Sequence, residues 1–221
     1  MAPGRRAREI SSLNMARGIV RLPPHAPGMR IGLFGGSFDP AHAGHALVCA
    51  IALRRLKLDR LWLMVSPGNP LKDATSLTPL AERMRAARRL TRDPRVVVTD
   101  FEAGIGARYS YQTVEHLLQA CPGVKFIWIM GADNLADFFR WRRWRNIARK
   151  MPILVIDRPG STHRATRGLA AAWFERRRLP EFSAKNLALR KPPALIVLHG
   201  PRSKLSSTQL RAQQTALRSD S

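Results

Sequence analysis

A glycine-rich segment between a strand and a helix constrains the fold of this chain more than any other sequence feature. The apolar run 29–34 is typical of a buried strand, and apolar residues recur at helical spacing from Leu47 to Leu58. Between them lies Gly35-Gly36-Ser37-Phe38-Asp39-Pro40-Ala41-His42-Ala43-Gly44-His45, with glycines where the backbone bends or approaches another group closely. The sequence therefore predicts a strand-to-helix turn at residues 35–45.

The rest of the chain continues this alternation of strands and helices. Apolar runs predict five more strands, and helical spacing predicts further helices: strands at 61–65, 95–99, 125–130, 153–156 and 194–198, and helices at 79–90, 111–120, 135–139, 141–150, 165–178 and 207–217. Thr78 is predicted to cap the helix that opens with Pro79. The pattern predicts an α/β fold: a single Rossmann-like, doubly wound parallel sheet with helices on both faces. In the common strand order, the loops that leave strands one and four overlook one crevice.

Length and composition favour one domain. The 221 residues, 45% of them hydrophobic, suit a single large core at 29–217. Residues 1–28 lack periodicity and predict a disordered N-terminal extension, with a transit peptide or a start at Met29 as alternatives. No apolar run approaches the ~18 residues of a membrane span. Cys49 and Cys121 lie in helix-like apolar stretches, which favours buried reduced thiols in a cytoplasmic protein.

The net charge of +23 constrains the partners without deciding among them. A field of this sign attracts anionic substrates, and it permits incidental nucleic-acid binding at low salt. The basic residues are spread along the chain, whereas a basic nucleic-acid-binding protein, the distant alternative, predicts one basic stripe.

Two histidines indicate what the turn at 35–45 binds. His42 and His45 are three residues apart at a helix start, so both imidazoles project from one face. Backbone N–H groups and the positive end of the helix dipole lie beside them, which suits a polyphosphate. A structural turn with two surface histidines and a zinc site are the alternatives, although both cysteines lie far off in sequence.

These residues resemble the nucleotidyltransferase signature with its His-x-Gly-His core. Ser206-Ser207-Thr208-Gln209-Leu210-Arg211 resembles the second phosphate-binding motif of the same superfamily, Ser-Ser-Thr-x-x-Arg. Over residues 29–215 the chain is similar to the bacterial nicotinate mononucleotide adenylyltransferases. The resemblance implies catalytic roles for His42, His45 and Arg211. It also implies ATP contacts from Gly35, Gly36, Ser37, Phe38, His42, His45, Asp133, Ser207, Thr208 and Arg211.

Other matches imply where the mononucleotide binds. The run Gly131-Ala132-Asp133-Asn134 with Trp141 resembles the nicotinate branch, in which the tryptophan stacks on the pyridine ring; core packing is the alternative for Trp141. The run 69–72 resembles Pro-Pro-His-Lys with leucine in place of histidine, and Tyr109-Ser110-Tyr111-Gln112-Thr113 resembles Tyr-Thr-x-Asp-Thr. The implied mononucleotide contacts are Lys72, Ser110, Thr113 and Trp141.

The implied reaction joins ATP and nicotinate mononucleotide to give deamido-NAD and pyrophosphate. The attacking phosphate is largely dianionic near pH 7, so it needs positioning and positive charge rather than a general base. The resemblance implies that Mg²⁺ enters with ATP, admits a homo-oligomer, and implies neither a membrane nor a specific nucleic acid as partner. Adenylyl transfer to nicotinamide mononucleotide or another small phosphate is the nearer alternative.

Overall fold

The computed structural model describes residues 20–68, 77–157 and 168–199. Within this part, seven strands form one sheet in the order β3-β2-β1-β4-β5-β7-β6, and every neighbouring pair is parallel. The strands are β1 Arg30–Gly36, β2 Arg60–Val65, β3 Val96–Thr99, β4 Lys125–Gly131, β5 Ile153–Asp157, β6 Arg178–Leu179 and β7 Leu195–His199. The predicted doubly wound α/β fold is confirmed, including the order of the six predicted strands.

Helices connect the strands. The α-helices are α1 Ala43–Leu56, α2 Leu80–Arg89, α3 Phe101–Gly104, α4 Ser110–Ala120, α5 Ala132–Asp137, α6 Trp144–Lys150 and α7 Leu169–Phe174, and 3₁₀ helices cover Phe138–Arg140, Glu175–Arg177 and Glu181–Leu189. The two-residue strand β6 and the four-residue helix α3 escaped the sequence prediction, because elements this short carry little periodicity. The nine-residue helix at 181–189 was also missed, since its 3₁₀ turns do not follow the α-helical spacing. The predicted helix at 207–217 lies outside the described residues.

The core has two layers, one on each face of the sheet. Alternate residues of each strand enter opposite clusters: Trp128 on β4 faces α4 to α7, whereas its neighbour Ile129 faces α1, α2 and the 3₁₀ helix at 181–189. Both faces of β2, β4, β5 and β7 are buried, which explains their continuous apolar runs. The helices therefore flank the sheet on both sides, and loops at its carboxyl edge form the site.

The N-terminal prediction needs a correction. We expected disorder up to residue 28, but residues 20–28 pack against the domain. Val20 and Leu22 contact one core cluster, Pro23 is buried, and the Gly28 N–H donates to the Gly123 carbonyl at 2.9 Å. The prediction of disorder is thus wrong for 20–28, while residues 1–19 lie outside the described part of the chain.

Two composition-based expectations can be compared with the described residues. Cys49 and Cys121 are both buried and both unpaired, as expected, and burial raises the pKa of the Cys49 thiol to about 12. In residues 20–68, 77–157 and 168–199, no helix combines the length and the apolarity that crossing a membrane requires.

Candidate active site

The turn after β1 is shorter than predicted. Gly35 and Gly36 belong to the strand and pair with Met64 and Val65 of β2, so the turn proper covers residues 37–42. A Cβ on Gly36 would lie 3.3 Å from the Phe38 ring, which explains why glycine suits that position. The turn is therefore packed closely against the end of its own strand.

Phe38 holds the middle of the turn. Its φ of 49° lies in the left-handed region, which is costly for a bulky residue. Its side chain is only 2% exposed and meets the rings of Phe34 and His45 edge-on, at centroid distances of 5.5 and 4.9 Å. The ring thus anchors the turn from within, and the implied ATP contact of Phe38 falls to its backbone.

His42 and His45 cap α1 reciprocally. The Gly44 N–H donates to His42 Nδ1 at 3.1 Å, and the His42 N–H donates to His45 Nδ1 at 3.2 Å. The ring centroids lie 3.8 Å apart, so the two imidazoles do share one face as predicted. Since Nδ1 accepts in both rings, the neutral rings carry their proton on Nε2. The two rings differ in exposure, since His42 is 7% exposed with its Nε2 atom buried, whereas His45 is partly exposed.

Asp39 ties the turn to the start of α2. Its Oδ1 accepts from Thr78 Oγ1 at 2.7 Å, and its Oδ2 accepts from the Thr78 N–H at 3.4 Å. The prediction that Thr78 caps α2 is wrong. Pro79 is the N-cap residue of this helix, and it makes no capping hydrogen bond through its side chain. The Thr78 hydroxyl is engaged by the nearby carboxylate instead.

Arg83 on α2 is a residue that sequence reasoning missed. It is 3% exposed, and its guanidinium donates to backbone carbonyls on the turn and beside it. Burial lowers the pKa of the Arg83 guanidinium, and the negative charge of Asp39 opposes this effect. A signal was present, since Arg83 lies on the stripe of Leu80 and Ala87, but α2 also carries three other arginines.

The second exit loop lies beside the first. β1 and β4 are neighbours in register, with Phe34 opposite Ile129. Helix α5 begins directly after Gly131, and Asp133 lies exposed in its first turn. The structure therefore brings Asp133 to the same edge of the sheet as the turn at 37–42.

Trp141 is half-buried beside this edge. It meets the rings of Trp128 and Phe138 edge-on, at 6.2 and 5.3 Å, and Trp128 in turn lies 3.8 Å from where a Cβ of Gly35 would stand. Trp144 meets the rings of Phe138 and Trp173 edge-on. Trp141 thus combines a core contact along one edge with partial exposure, as a stacking residue requires.

At the start of α4, Gln112 stands where the family motif has Asp. The Gln112 side-chain oxygen accepts from the backbone N–H groups of Arg108 and Tyr109, at 3.0 and 2.9 Å. The Gln112 amide thus serves as an N-terminal cap from inside the helix. Ser110, the first residue of α4, remains partly exposed.

Thr113 differs from Ser110 in its exposure to solvent. It is fully buried, and its hydroxyl donates to Glu102 Oε1 at 2.6 Å. Glu102 is 8% exposed, and burial raises the pKa of its carboxyl, although the Thr113 hydrogen bond opposes this shift. The pair fastens α3 to α4 beneath the predicted mononucleotide site.

Two arginines bring the two parts of that predicted site together. The Arg142 guanidinium lies over the Tyr109 ring at 5.0 Å, and Arg143 lies over Tyr111 at 4.8 Å. These contacts join the segment that carries Trp141 to the segment that carries Ser110. Lys72, Ser207, Thr208 and Arg211, the remaining predicted site residues, lie outside the described residues.

A Mg²⁺ ion at this site would need oxygen donors at the carboxyl edge of the sheet. In the described ranges, no group of three or more His, Cys, Asp or Glu residues is placed to hold a metal ion. Mg²⁺ is usually held by one or two carboxylates together with substrate phosphates. Asp133, at the sheet edge, is of the right chemistry for one such contact.

Sequence comparison identifies similar proteins. A profile of the family described as Cytidylyltransferase-like matches residues 33–213. The chain is 55% identical over 186 residues to a protein of Brucella abortus (strain 2308), which covers 84% of this chain and 96% of the relative. It is 56% identical over 185 residues to a protein of Methylorubrum extorquens, covering 84% and 100%. Both relatives are named probable nicotinate-nucleotide adenylyltransferase.

Comparison with solved structures gives the same fold. The nicotinic acid mononucleotide adenylyltransferase of Plasmodium falciparum complexed with APC matches with a TM-score of 0.59 at 18% identity, over 83% of each chain. Its complex with NaAD matches with a TM-score of 0.58 at 17% identity, again over 83% of each chain. At these identities the likeness concerns the fold alone.

Proposed function

Because this chain belongs to the Cytidylyltransferase-like family and, within it, to the nicotinate-nucleotide adenylyltransferases, we propose that it joins ATP and nicotinate mononucleotide to give deamido-NAD and pyrophosphate. The observation that carries the proposal is the reciprocal cap of His42 and His45. That cap brings two imidazoles and the start of a 14-residue helix together at the sheet edge, where the His42 ring is buried and the His45 ring is partly exposed. Such a point suits the phosphates of ATP.

In the proposed mechanism, the mononucleotide phosphate attacks the α-phosphorus of ATP in line. A new bond forms between the mononucleotide phosphate oxygen and the α-phosphorus. The bond from the α-phosphorus to the oxygen that bridges to the β-phosphorus breaks, and pyrophosphate leaves with that electron pair. The site holds no nucleophile–base pair among the residues described above, and none is needed, because the attacking group is already ionised. Catalysis then rests on positioning and on fixed positive charge.

Individual residues have separate proposed roles. His42 and His45 are the proposed contacts of the first phosphate site, with the more exposed His45 facing the ATP oxygens and Asp133 on a ribose hydroxyl or beside the metal. Mg²⁺, when bound with ATP, neutralises charge on the phosphates. Ser207, Thr208 and Arg211 are proposed as the second phosphate clamp, and Lys72 as a further cation, from the sequence motifs alone.

At the other end, Trp141 is the proposed stacking face for the pyridine ring, and Ser110 is the proposed polar contact. The buried hydrogen bond of Thr113 to Glu102 favours an indirect role, in which Thr113 holds the start of α4 in place. We expect the protein to act in the cytoplasm, where unpaired thiols such as those of Cys49 and Cys121 stay reduced.

Turnover of the two pyridine mononucleotides with ATP tests the proposal. We expect purified protein with Mg²⁺ to form deamido-NAD from nicotinate mononucleotide, with a much higher kcat/KM than for the amide. A preference for nicotinamide mononucleotide, or for a phosphate without a pyridine ring, would contradict the substrate assignment. Filter binding of the His42→Ala/His45→Ala variant to RNA at physiological salt tests the distant alternative, since tight binding that survives both substitutions would favour it.

A further inference from the structure

Arg83 is a buried charge whose environment differs from that of the other arginines on its helix. Its side chain is 3% exposed, whereas Arg85, Arg88 and Arg89 of α2 are all exposed. A charged group is buried only where hydrogen bonds replace its water, so its partners indicate its purpose.

Those partners are backbone carbonyls from three segments. Nη1 donates to both the Ser37 and the Ser66 carbonyl at 2.8 Å, and Nη2 lies 3.4 Å from the Pro67 carbonyl. Nε donates to the Thr78 carbonyl at 2.8 Å. One planar guanidinium therefore links the turn at 37–42, the exit of β2 and the start of α2.

The chemistry of the group explains why arginine stands there. A guanidinium offers five N–H donors in a fixed fork, whereas a lysine ammonium offers three from a single point. No neutral side chain can supply donors in as many directions. Asp39, which accepts from Thr78, adds a negative charge nearby without occupying the fork.

We propose that Arg83 is a positioning residue for ATP, which fixes the direction of the backbone N–H groups in the turn at 37–42. The proposal rests on the proposed function of that turn as a phosphate site. A trans peptide holds its C=O and N–H on opposite sides, so fixing the Ser37 carbonyl on the buried side turns the Phe38 N–H away from Arg83. Phe38 holds a left-handed φ of 49°, a conformation that persists only when its surroundings enforce it.

The contacts also predict which substrate depends on Arg83. All four acceptors lie on or beside the turn at 37–42, and none lies on α4 or near Trp141. Loss of the Arg83 guanidinium should therefore weaken ATP binding and leave mononucleotide binding unchanged. A residue that serves only folding would instead lower the active fraction and affect both substrates equally.

Arg83→Lys, with Arg85→Lys as the matched surface control on the same helix, tests this. Calorimetry with a non-hydrolysable ATP analogue and steady-state KM values for both substrates are the readouts, and circular dichroism checks folding. We expect Arg83→Lys to weaken ATP binding by about 10- to 100-fold, as an error in positioning of about 1 Å would. The mononucleotide KM of Arg83→Lys, and both KM values of Arg85→Lys, should match the wild type.

Several outcomes would overturn the proposal. Unchanged ATP affinity in folded Arg83→Lys would do so, as would parallel losses for both substrates. If Arg83→Lys does not fold, Arg83→Gln is the second variant, and a failure of both to fold would assign Arg83 to stability alone. Because the analogue binds without reaction, wild-type protein that binds it but forms no deamido-NAD would contradict the proposed function while the Arg83 comparison still stands.

Discussion

The turn at 37–42 and the region that joins α4 to Trp141 form the two ends of the candidate site, and different interactions hold them. At the turn, backbone carbonyls, an internal cap of two histidines and a buried guanidinium fix the chain. At the other end, stacked tyrosines and exposed arginines hold two segments together through their rings.

This difference explains what each end tolerates. Each hydrogen bond at the turn uses a donor and an acceptor of fixed geometry, so a change to one group disturbs the others. Aromatic and cation–π contacts are less strict in angle, and the Gln112 amide caps the start of α4 although the family motif has Asp at this position. We expect substitutions at the turn to affect catalysis, and substitutions at the aromatic end to affect the mononucleotide KM.

His45 should give the largest effect. His45→Ala removes both the Nδ1 acceptor for the His42 N–H and the Nε2 donor, so kcat should fall by about 100- to 1,000-fold. Steady-state kinetics beside the control His116→Ala, on the partly exposed side of α4, measures this. Turnover within a few-fold of wild type would show that His45 does not stabilise the transition state.

Two further variants separate the roles of the His45 ring. His45→Asn keeps an acceptor close to the position of Nδ1 but has no group at Nε2, whereas His45→Gln places an amide near Nε2. We expect the Asn variant to melt near the wild-type temperature with kcat as low as His45→Ala. Partial activity in the Gln variant alone would support donation from Nε2.

Trp141 should give the next largest effect. Stacking of a flat ring on an aromatic side chain is worth about 1–3 kcal/mol, so Trp141→Ala should raise the mononucleotide KM by about 5- to 150-fold and leave the ATP KM unchanged. Trp144→Ala is the matched control, since Trp144 packs against Phe138 and Trp173 and should lower the melting temperature instead. If the mononucleotide KM were the same in Trp141→Ala and Trp144→Ala, core packing would be the favoured role of Trp141.

Gln112 should give a smaller effect. Gln112→Ala leaves the N–H groups of Arg108 and Tyr109 without their acceptor, which should cost about 1 kcal/mol of stability. Gln112→Glu keeps an oxygen acceptor on a side chain of the same length, so it should restore the lost stability. Urea unfolding of the three proteins measures the difference, and an unchanged midpoint in Gln112→Ala would show that water satisfies these groups equally well.

Glu102 should affect pH dependence rather than activity. Burial raises the pKa of the folded-state carboxyl above its ordinary value of 4.5, so the folded protein binds more protons than the unfolded chain between these two pKa values. Stability therefore falls as pH rises through that window. Glu102→Gln keeps an oxygen acceptor for Thr113 and removes the proton equilibrium.

Urea titrations of wild type and Glu102→Gln at pH 5 and pH 8 measure the effect. The variant should gain stability relative to wild type as pH rises, with kcat unchanged. A constant difference between the two proteins would show that the carboxyl keeps its ordinary pKa in the fold.

The sequence predicted the sheet and the turn because both depend on local spacing. Strand runs such as 153–156 and the His42–His45 pair carry their meaning within a few residues. Arg83 was missed because its burial depends on segments far away in the chain: Ser37 lies 46 residues from Arg83. The Thr78 cap was wrong for the same reason, since Asp39, 39 residues away, competes for its hydroxyl.

The outermost strands of the sheet have a consequence for self-association. The β6 edge offers two residues, one of them the exposed Arg178, and the β3 edge offers four. A border of two residues with an exposed arginine is a poor template for strand addition, so a second copy cannot readily extend the ladder at β6. A homo-oligomer of this protein would accordingly be assembled through a surface other than the β6 border.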